Sequence, residues 1–99
     1  MIYALLTESN NPKKKYKVIV SDGQRKKTIH FGQAGASDYL QHKNDTRKFR
    51  YIQRHSGMGE DWTDPFTAGW WALNLLWSQK TMEKSIKDIE KRNGIIIFY

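Results

Sequence analysis

The sequence contains no cysteine and only two prolines in 99 residues. A chain without cysteine has no disulfide framework, no thiolate zinc site and no cysteine nucleophile, and it is compatible with a reducing compartment. Residues 1–6 lack the basic region of a secretory signal, and the apolar run near the tryptophans is interrupted by Asn74. We therefore expect an intracellular protein that neither carries a signal peptide nor spans a membrane.

The chain is also short, and its hydrophobic content is a modest 38%. Its size suits one domain. Four Trp, five Tyr and four Phe compensate for the small number of aliphatic residues, because aromatic side chains bury large areas. We expect residues 1–99 to form a single α+β domain with a basic half (11–55), a helical, aromatic-rich half (60–93) and a C-terminal strand (95–99).

Strand and turn signals dominate the first third of the chain. Residues 2–6 form a short apolar run. Residues 16–20 and 27–31 are typical of two strands, and the Asp22-Gly23 pair between them favours a tight turn. Residues 32–39 are a loop of small residues without the G-x-G-x-x-G spacing of a dinucleotide site. The pattern predicts an N-terminal β-hairpin in an antiparallel sheet of three to four strands.

Helix signals follow. Residues 46–55 fit a helix capped by Asn44 or Asp45, and Asp64 with Pro65 predicts the start of a second helix over 66–77. Thr81 opens a third helix, which Asn93-Gly94 ends. The apolar segment 95–99 should pair near the first strand, since an unprotected edge of this kind promotes aggregation. The sheet is thus expected to pack on about three helices.

Positive charge is concentrated in one half of the chain. The net charge is +7, and residues 11–55 hold twelve Lys or Arg against three Asp, whereas residues 56–99 hold five against six acidic residues. Basic faces on hairpins and helices are also ordinary solvated surfaces. The asymmetry between the halves nevertheless favours a polyanion, most simply nucleic acid.

The candidate binding residues are basic side chains interleaved with aromatic ones. Guanidinium and ammonium groups suit phosphates, and a Tyr ring can stack on a base. On a helical wheel the arginines of segment 46–55 share one face with a tyrosine. The pattern is compatible with DNA or RNA, single- or double-stranded. The predicted contacts are Lys14, Lys15, Lys17, Arg25, Lys26, Lys27, Lys43, Arg47, Arg50, Tyr51 and Arg54.

A second hypothesis is a structural or assembly protein that acts through protein contacts. An acidic protein partner would meet the basic residues, and the C-terminal strand would join copies of the chain into a homo-oligomer. Trp71 is assigned to this interface because it lies on a different helical face from Trp70 and Trp77, which we expect in the core. The candidate interface residues are Trp71, Ile95, Ile97 and Tyr99.

A third hypothesis is a metal-dependent nuclease that uses His42, His55 and either Asp38 or Asp61. No His or acidic pair has an established ligand spacing such as H-E-x-x-H. The acidic turn formed by Glu60, Asp61 and Asp64 is better explained by the positive end of the following helix. We therefore assign no catalytic residue, no metal and no cofactor.

Several short motifs together resemble a known group of proteins. They are Ser37-Asp38-Tyr39, His42-Lys43, Arg54-His55, and Asp61-Trp62-Thr63-Asp64-Pro65 followed by Thr67-Ala68-Gly69. Over roughly residues 13–93 the chain resembles small proteins of unknown function encoded by large double-stranded DNA viruses of eukaryotes and by some phages. The resemblance leaves the first strand and residues 95–99 outside the match. It implies a viral setting, in the cytoplasm or nucleus of a host cell or within the virion.

Overall fold

The computed structural model describes residues 1–59 and 61–99, in which a four-stranded sheet carries helices against one face. The strands are β1 (Ile2–Glu8), β2 (Lys14–Ser21), β3 (Lys26–Gln33) and β4 (Ile95–Phe98), in the order β3-β2-β1-β4. The α+β class and the pairing of the C-terminal segment with the first strand are confirmed. The sheet is mixed rather than wholly antiparallel, because β4 runs parallel to β1.

The predicted hairpin is confirmed in β2 and β3, where Val18 lies opposite Ile29. Its turn is fixed by Asp22, whose carboxylate accepts hydrogen bonds from the backbone N–H groups of Arg25 (2.7 Å) and Gln24 (3.0 Å). These two bonds lower the pKa of Asp22. A short polar side chain before a glycine thus closes the turn locally, which explains why the sequence revealed it.

Within the described residues, four α-helices follow the hairpin: α1 (Tyr39–His42), α2 (Asp45–Ser56), α3 (Ala68–Trp71) and α4 (Met82–Asn93). The predictions of α2 and α4 are confirmed, together with their caps. The Asn44 side chain accepts from the N–H of Arg47 at 3.2 Å, and Thr81 does the same for Lys84. The four-residue α1 was not predicted, since so short a helix shows no apolar period.

The predicted helix over 66–77 is wrong in its start and in its form. The α-helix begins at Ala68, with Thr67 as its N-cap. Asp64 instead accepts a hydrogen bond from the N–H of Phe66 in a turn, and the Pro65 carbonyl accepts one from the Trp71 indole at 2.7 Å. After Trp71 the chain widens into a π-helical segment over Ala72–Leu76.

The core lies between the inner face of the sheet and the helices. Alternate strand residues such as Ala4, Leu6, Val18 and Val20 point inward. Trp71, predicted to make a protein contact, is fully buried here, because its indole is tied to the Pro65 carbonyl and its ring lies against Trp70 and Phe31. The core residues are Ala4, Leu6, Val18, Val20, Ile29, Phe31, Phe66, Trp70, Trp71, Leu75, Leu76, Ile86, Ile89, Ile95 and Ile97.

The interface prediction is also corrected in β4, where Ile95 and Ile97 are core residues that no partner can reach while the fold is intact. Their neighbours Ile96 and Phe98 point to the opposite face of the sheet and are exposed, as is Tyr99 at 76%. On β1, Tyr3 and Leu5 are exposed on that same outer face, opposite Ile96 and Phe98. The outer face of β1 and β4 therefore presents paired apolar side chains that a partner can reach.

Within the part of the chain that the structure describes, no helix is both long enough and apolar enough to cross a lipid bilayer.

Candidate functional site

A groove of about 560 Å³ lies between α2 and the ends of the β2–β3 hairpin. Lysines of β2 and the 33–38 loop form one wall, α2 forms the other, and α3 with the π-helical segment forms the floor. Its volume is within the usual range of ligand sites. The lining residues are Lys14, Lys15, Phe31, Gly32, Gln33, Ala36, Ser37, Asp38, Arg47, Arg50, Tyr51, Arg54, His55, Ala68, Gly69, Ala72, Leu76 and Trp77.

The shape of the groove depends on Gly32 near the end of β3. Its φ is +78°, a backbone conformation that side chains disfavour. A Cβ built at this position would stand 2.8 Å from Cδ1 of Leu76 and 3.3 Å from the Cβ of Lys15. Only glycine therefore lets the strand turn toward the 33–38 loop and lie directly against the floor.

Lys15 is the one basic residue of the groove whose charge is compensated among the described residues. Its Nζ lies 2.6 Å from Oδ2 of Asp38 and also donates to the carbonyl of Ala36. Asp38 is only 4% exposed, and its Oδ1 is buried without a hydrogen-bond partner in the described chain. A buried ion pair of this kind holds the 33–38 loop against β2, so we assign Lys15 a structural role.

The opposite wall carries the arginine face of α2. Arg47, Arg50 and Arg54 all line the groove and are exposed, which is the shared face that their helical spacing predicted. None of the three forms an ion pair within residues 1–59 and 61–99. Together with Lys14 they give the groove four cations that no acidic side chain neutralises in the described chain.

A column of rings anchors this helix to the body of the protein. Tyr51 stacks on Trp77, with centroids 4.2 Å apart and planes at 4°, and on its other side stacks against His55 at 4.1 Å. Trp77 in turn contacts His42 at 5.2 Å. Both faces of the Tyr51 ring are thus occupied inside the chain. The predicted stacking of a base on Tyr51 does not fit this arrangement, and the phenol borders the groove instead.

Polar contacts complete the attachment of α2, which has no fully buried side chain. The Nζ of Lys48 donates to the Ser78 carbonyl at 2.6 Å and lies over the Tyr39 ring. The Tyr39 hydroxyl donates to Oδ1 of Asp45 at 2.5 Å, a bond that raises the pKa of Tyr39. The arginines therefore stand on a helix whose position is set by rings and hydrogen bonds rather than by deep burial.

The other predicted contact residues lie outside the groove. Arg25 places its guanidinium 3.7 Å from the centroid of Phe66, and Lys27 donates to the Phe66 carbonyl at 3.0 Å. Lys43 donates to the Leu40 carbonyl, closing α1. Lys17 and Lys26 lie on strands β2 and β3 and do not line the groove. The structure thus gathers Lys14, Lys15, Arg47, Arg50, Tyr51 and Arg54 and disperses Lys17, Arg25, Lys26, Lys27 and Lys43.

His42 lies behind the ring column in a half-buried position. Its Nδ1 accepts a hydrogen bond from the N–H of Asn44 at 2.9 Å, and its Nε2 is buried without a hydrogen-bond partner in the described part of the chain. Desolvation, and secondarily the positive charge of Arg47, lower the pKa of His42, while Asp38 acts in the opposite direction. His42 is therefore neutral near pH 7 and supports the rings.

The residues of the nuclease hypothesis are engaged in other contacts. Asp38 pairs with Lys15, and Asp61 accepts hydrogen bonds from the hydroxyl and the N–H of Thr63, which lower its pKa. Glu60 lies outside the described residues. Over positions 1–59 and 61–99, no three His, Asp or Glu side chains are grouped so as to hold a metal ion.

Sequence reasoning missed the floor of the groove and part of its wall. Ala68, Gly69 and Ala72 are small residues of the floor, the buried Leu76 and Phe31 border them, and Trp77, which we expected in the core, also lines the groove. These residues come from separate elements, and no sequence motif joins them. The proximity of Gly32 to Leu76, which shapes the floor, is likewise visible only in three dimensions.

Comparison with known proteins gives one family. No curated protein and no solved structure shows significant similarity to the chain. Residues 4–55 match a family described as being of unknown function, DUF5754. The match begins inside β1 and ends within α2, so the first strand, which the sequence resemblance left outside, is included. Because the match spans more than half of the sequence, the chain belongs to the family of unknown function DUF5754.

Proposed function

We propose that this protein binds nucleic acid by taking the phosphate backbone into the groove between α2 and the hairpin. The observation that carries the proposal is the convergence of Lys14, Arg47, Arg50 and Arg54 on one groove, without a neutralising acidic residue in the described chain. Guanidinium groups match phosphate oxygens in a planar, bidentate geometry. The groove is thus suited to an anion with several phosphates.

Backbone contacts of this kind carry no sequence information, so we propose binding without sequence specificity. Each neutralised phosphate releases counterions, and four contacts correspond to a log–log salt slope of about −2.8 for a single strand or −3.6 for a duplex. Raising the salt concentration from about 50 to about 200 mM should then weaken binding by roughly 50- to 150-fold. This salt dependence is the quantitative expectation of the proposal.

The test is fluorescence anisotropy with labelled oligonucleotides of about 12 nucleotides, within the usual site sizes of small binding domains. The variant Arg47→Gln/Arg50→Gln/Arg54→Gln should reduce affinity by at least about 30-fold at low salt and lower the slope to that of about one contact. Glutamine keeps the helix propensity of α2.

The matched control is Lys80→Gln/Lys84→Gln/Lys91→Gln, which removes the same charge from exposed positions outside the groove. It should retain most of the affinity and nearly the full slope. Equal losses in both triple variants would mean that net charge, and not the groove, attracts the nucleic acid. Absence of binding by the unaltered protein at low salt would reject the proposal.

The viral setting implied by the sequence resemblance is part of the same proposal. A small basic protein that holds phosphate backbones can act on a viral DNA genome, as a packaging protein or a minor virion component. Such a protein works inside the host cell or the particle. Co-sedimentation of the protein with purified virions, compared before and after nuclease treatment of opened particles, tests this setting.

The second candidate function, assembly through protein contacts, is favoured by the exposed apolar outer face of β1 and β4. Leu5 is 47% and Phe98 54% exposed, and contiguous apolar surface of this kind often marks an interface. Light scattering of the unaltered protein and of Leu5→Ser/Phe98→Ser tests it. A lower oligomeric state in the variant supports assembly. A monomer in both samples would show that this face does not join copies of the chain.

A further inference from the structure

We infer that the groove accommodates an unpaired nucleotide, so that the preferred ligand is single-stranded nucleic acid, with a phosphate on the α2 arginines and the base against the apolar floor. The inference rests on the proposed function and makes its ligand specific. It is drawn from three features of the groove: its two-sided charge, its size and its floor.

Charge comes from two opposite walls. Lys14 stands on β2, whereas Arg47, Arg50 and Arg54 stand on α2, and all four line the same cavity. A phosphate group contacts both walls only if it enters the space between them. A convex duplex can touch the exposed rim of α2, but its backbone is held at the surface of a rigid cylinder. A single strand is flexible enough to place a nucleotide between the walls.

The volume agrees with that ligand. At about 560 Å³ the groove is of the size that holds a small-molecule ligand. A duplex would leave this volume filled with water, because the bases are stacked and paired inside the helix. An unpaired nucleotide fills it and displaces water from apolar surface, which contributes favourable binding energy.

The floor is suited to a flat, weakly polar group. Ala68, Gly69 and Ala72 present little side-chain bulk, and the core residues Phe31 and Leu76 border them with only 1% and 2% of their surface exposed. The Tyr51 ring is covered on both faces by Trp77 and His55. A base therefore meets the small-residue floor and the edges of the ring column, rather than inserting between stacked rings. Contacts of this type tolerate any base.

The decisive comparison uses three ligands of equal phosphate number with the unaltered protein: a single strand of about 12 nucleotides, the same strand with abasic positions throughout, and a self-paired hairpin duplex. The single strand should bind about 5- to 150-fold more tightly than the other two, which is the factor that corresponds to one base contact of about 1–3 kcal/mol. A free nucleoside monophosphate should compete weakly, as it supplies one phosphate.

A variant with a larger side chain in the floor separates the contribution of the base contact to affinity from that of the phosphate contacts. Ala68 is exposed and lines the groove, so Ala68→Leu should narrow the floor without disturbing the core. We expect it to bring single-strand affinity down to that of the abasic strand while leaving the salt slope unchanged. Ala34→Leu is the matched control, because Ala34 is an exposed residue of the 33–38 loop that does not itself line the groove, and this variant should bind as the unaltered protein does.

The possible results separate the two proposals. Equal, salt-dependent binding of the single strand, the abasic strand and the duplex would overturn this inference and leave backbone binding intact. Tighter binding of the duplex would also overturn it. A free nucleotide that binds as tightly as the strand would show that the groove serves a mononucleotide instead. Failure of every ligand to bind would overturn both proposals.

Discussion

At Gly32, the backbone conformation and the packing of neighbouring atoms both disfavour any side chain larger than hydrogen. We expect Gly32→Ala to lower the free energy of unfolding by about 2–3 kcal/mol, from a disfavoured positive φ and a clash with Leu76. Gly35→Ala, with φ +85° but no atom within 4 Å of the added carbon, should cost only about 1 kcal/mol. Urea denaturation measures both. Equal losses would show that φ alone matters at Gly32.

The protonation of His42 gives a second prediction at this scale. Because its pKa is lowered from the usual 6.5, the unfolded chain binds the proton more readily than the folded one. Neutral His42 therefore contributes fully to the stability of the fold above pH 6.5. This contribution is lost as the pH falls from 6.5 toward the lower pKa of His42 in the folded protein. NMR titration should find a pKa below 6.5 for His42, and His42→Asn should remove part of the acid sensitivity. A measured pKa above 6.5 would contradict the desolvated position.

Strand β4 has one face in the core and one face exposed, so substitutions on its two faces should differ in their effect on stability. Ile97 is 6% exposed in the core, whereas Ile96, one residue earlier, points to the outer face. We expect Ile97→Ala to destabilise the protein by about 2–4 kcal/mol and Ile96→Ala by less than about 1 kcal/mol. Thermal or urea unfolding of the two variants provides the comparison. The reverse order would mean that β4 pairs with β1 in the other register.

The elements also show which features a sequence reveals. The hairpin turn at Asp22 and the caps Asn44 and Thr81 involve hydrogen bonds over two or three residues, so they are readable locally. The start of α3 is harder to read, because Asp64 and Thr67 both accept a local backbone hydrogen bond, Asp64 from the N–H of Phe66 and Thr67 from that of Trp70. The burial of Trp71 against Phe31 and Trp70 depends on packing between separate elements and is equally hard to read. Helical spacing predicted the arginine face of α2, whereas the floor is assembled from distant segments.

At the scale of the whole molecule, the basic half of the chain divides into two parts. One part surrounds the groove, and the other, including Arg25, Lys27 and Lys43, contacts carbonyl groups or a ring elsewhere. A count of charges from the sequence cannot make this division, because it depends on where each side chain ends. The proposed phosphate binding therefore depends on four cations of the groove and not on the net charge of +7.

The role of the groove is best measured by the salt dependence of single-strand binding, compared among three proteins. They are the unaltered protein, the triple glutamine variant of Arg47, Arg50 and Arg54, and its lysine control. Binding of the phosphate backbone in the groove predicts a slope of about −2.8 for the protein and the control, and a slope near −0.7 with at least about 30-fold weaker binding for the arginine variant. Identical slopes in all three proteins would contradict it.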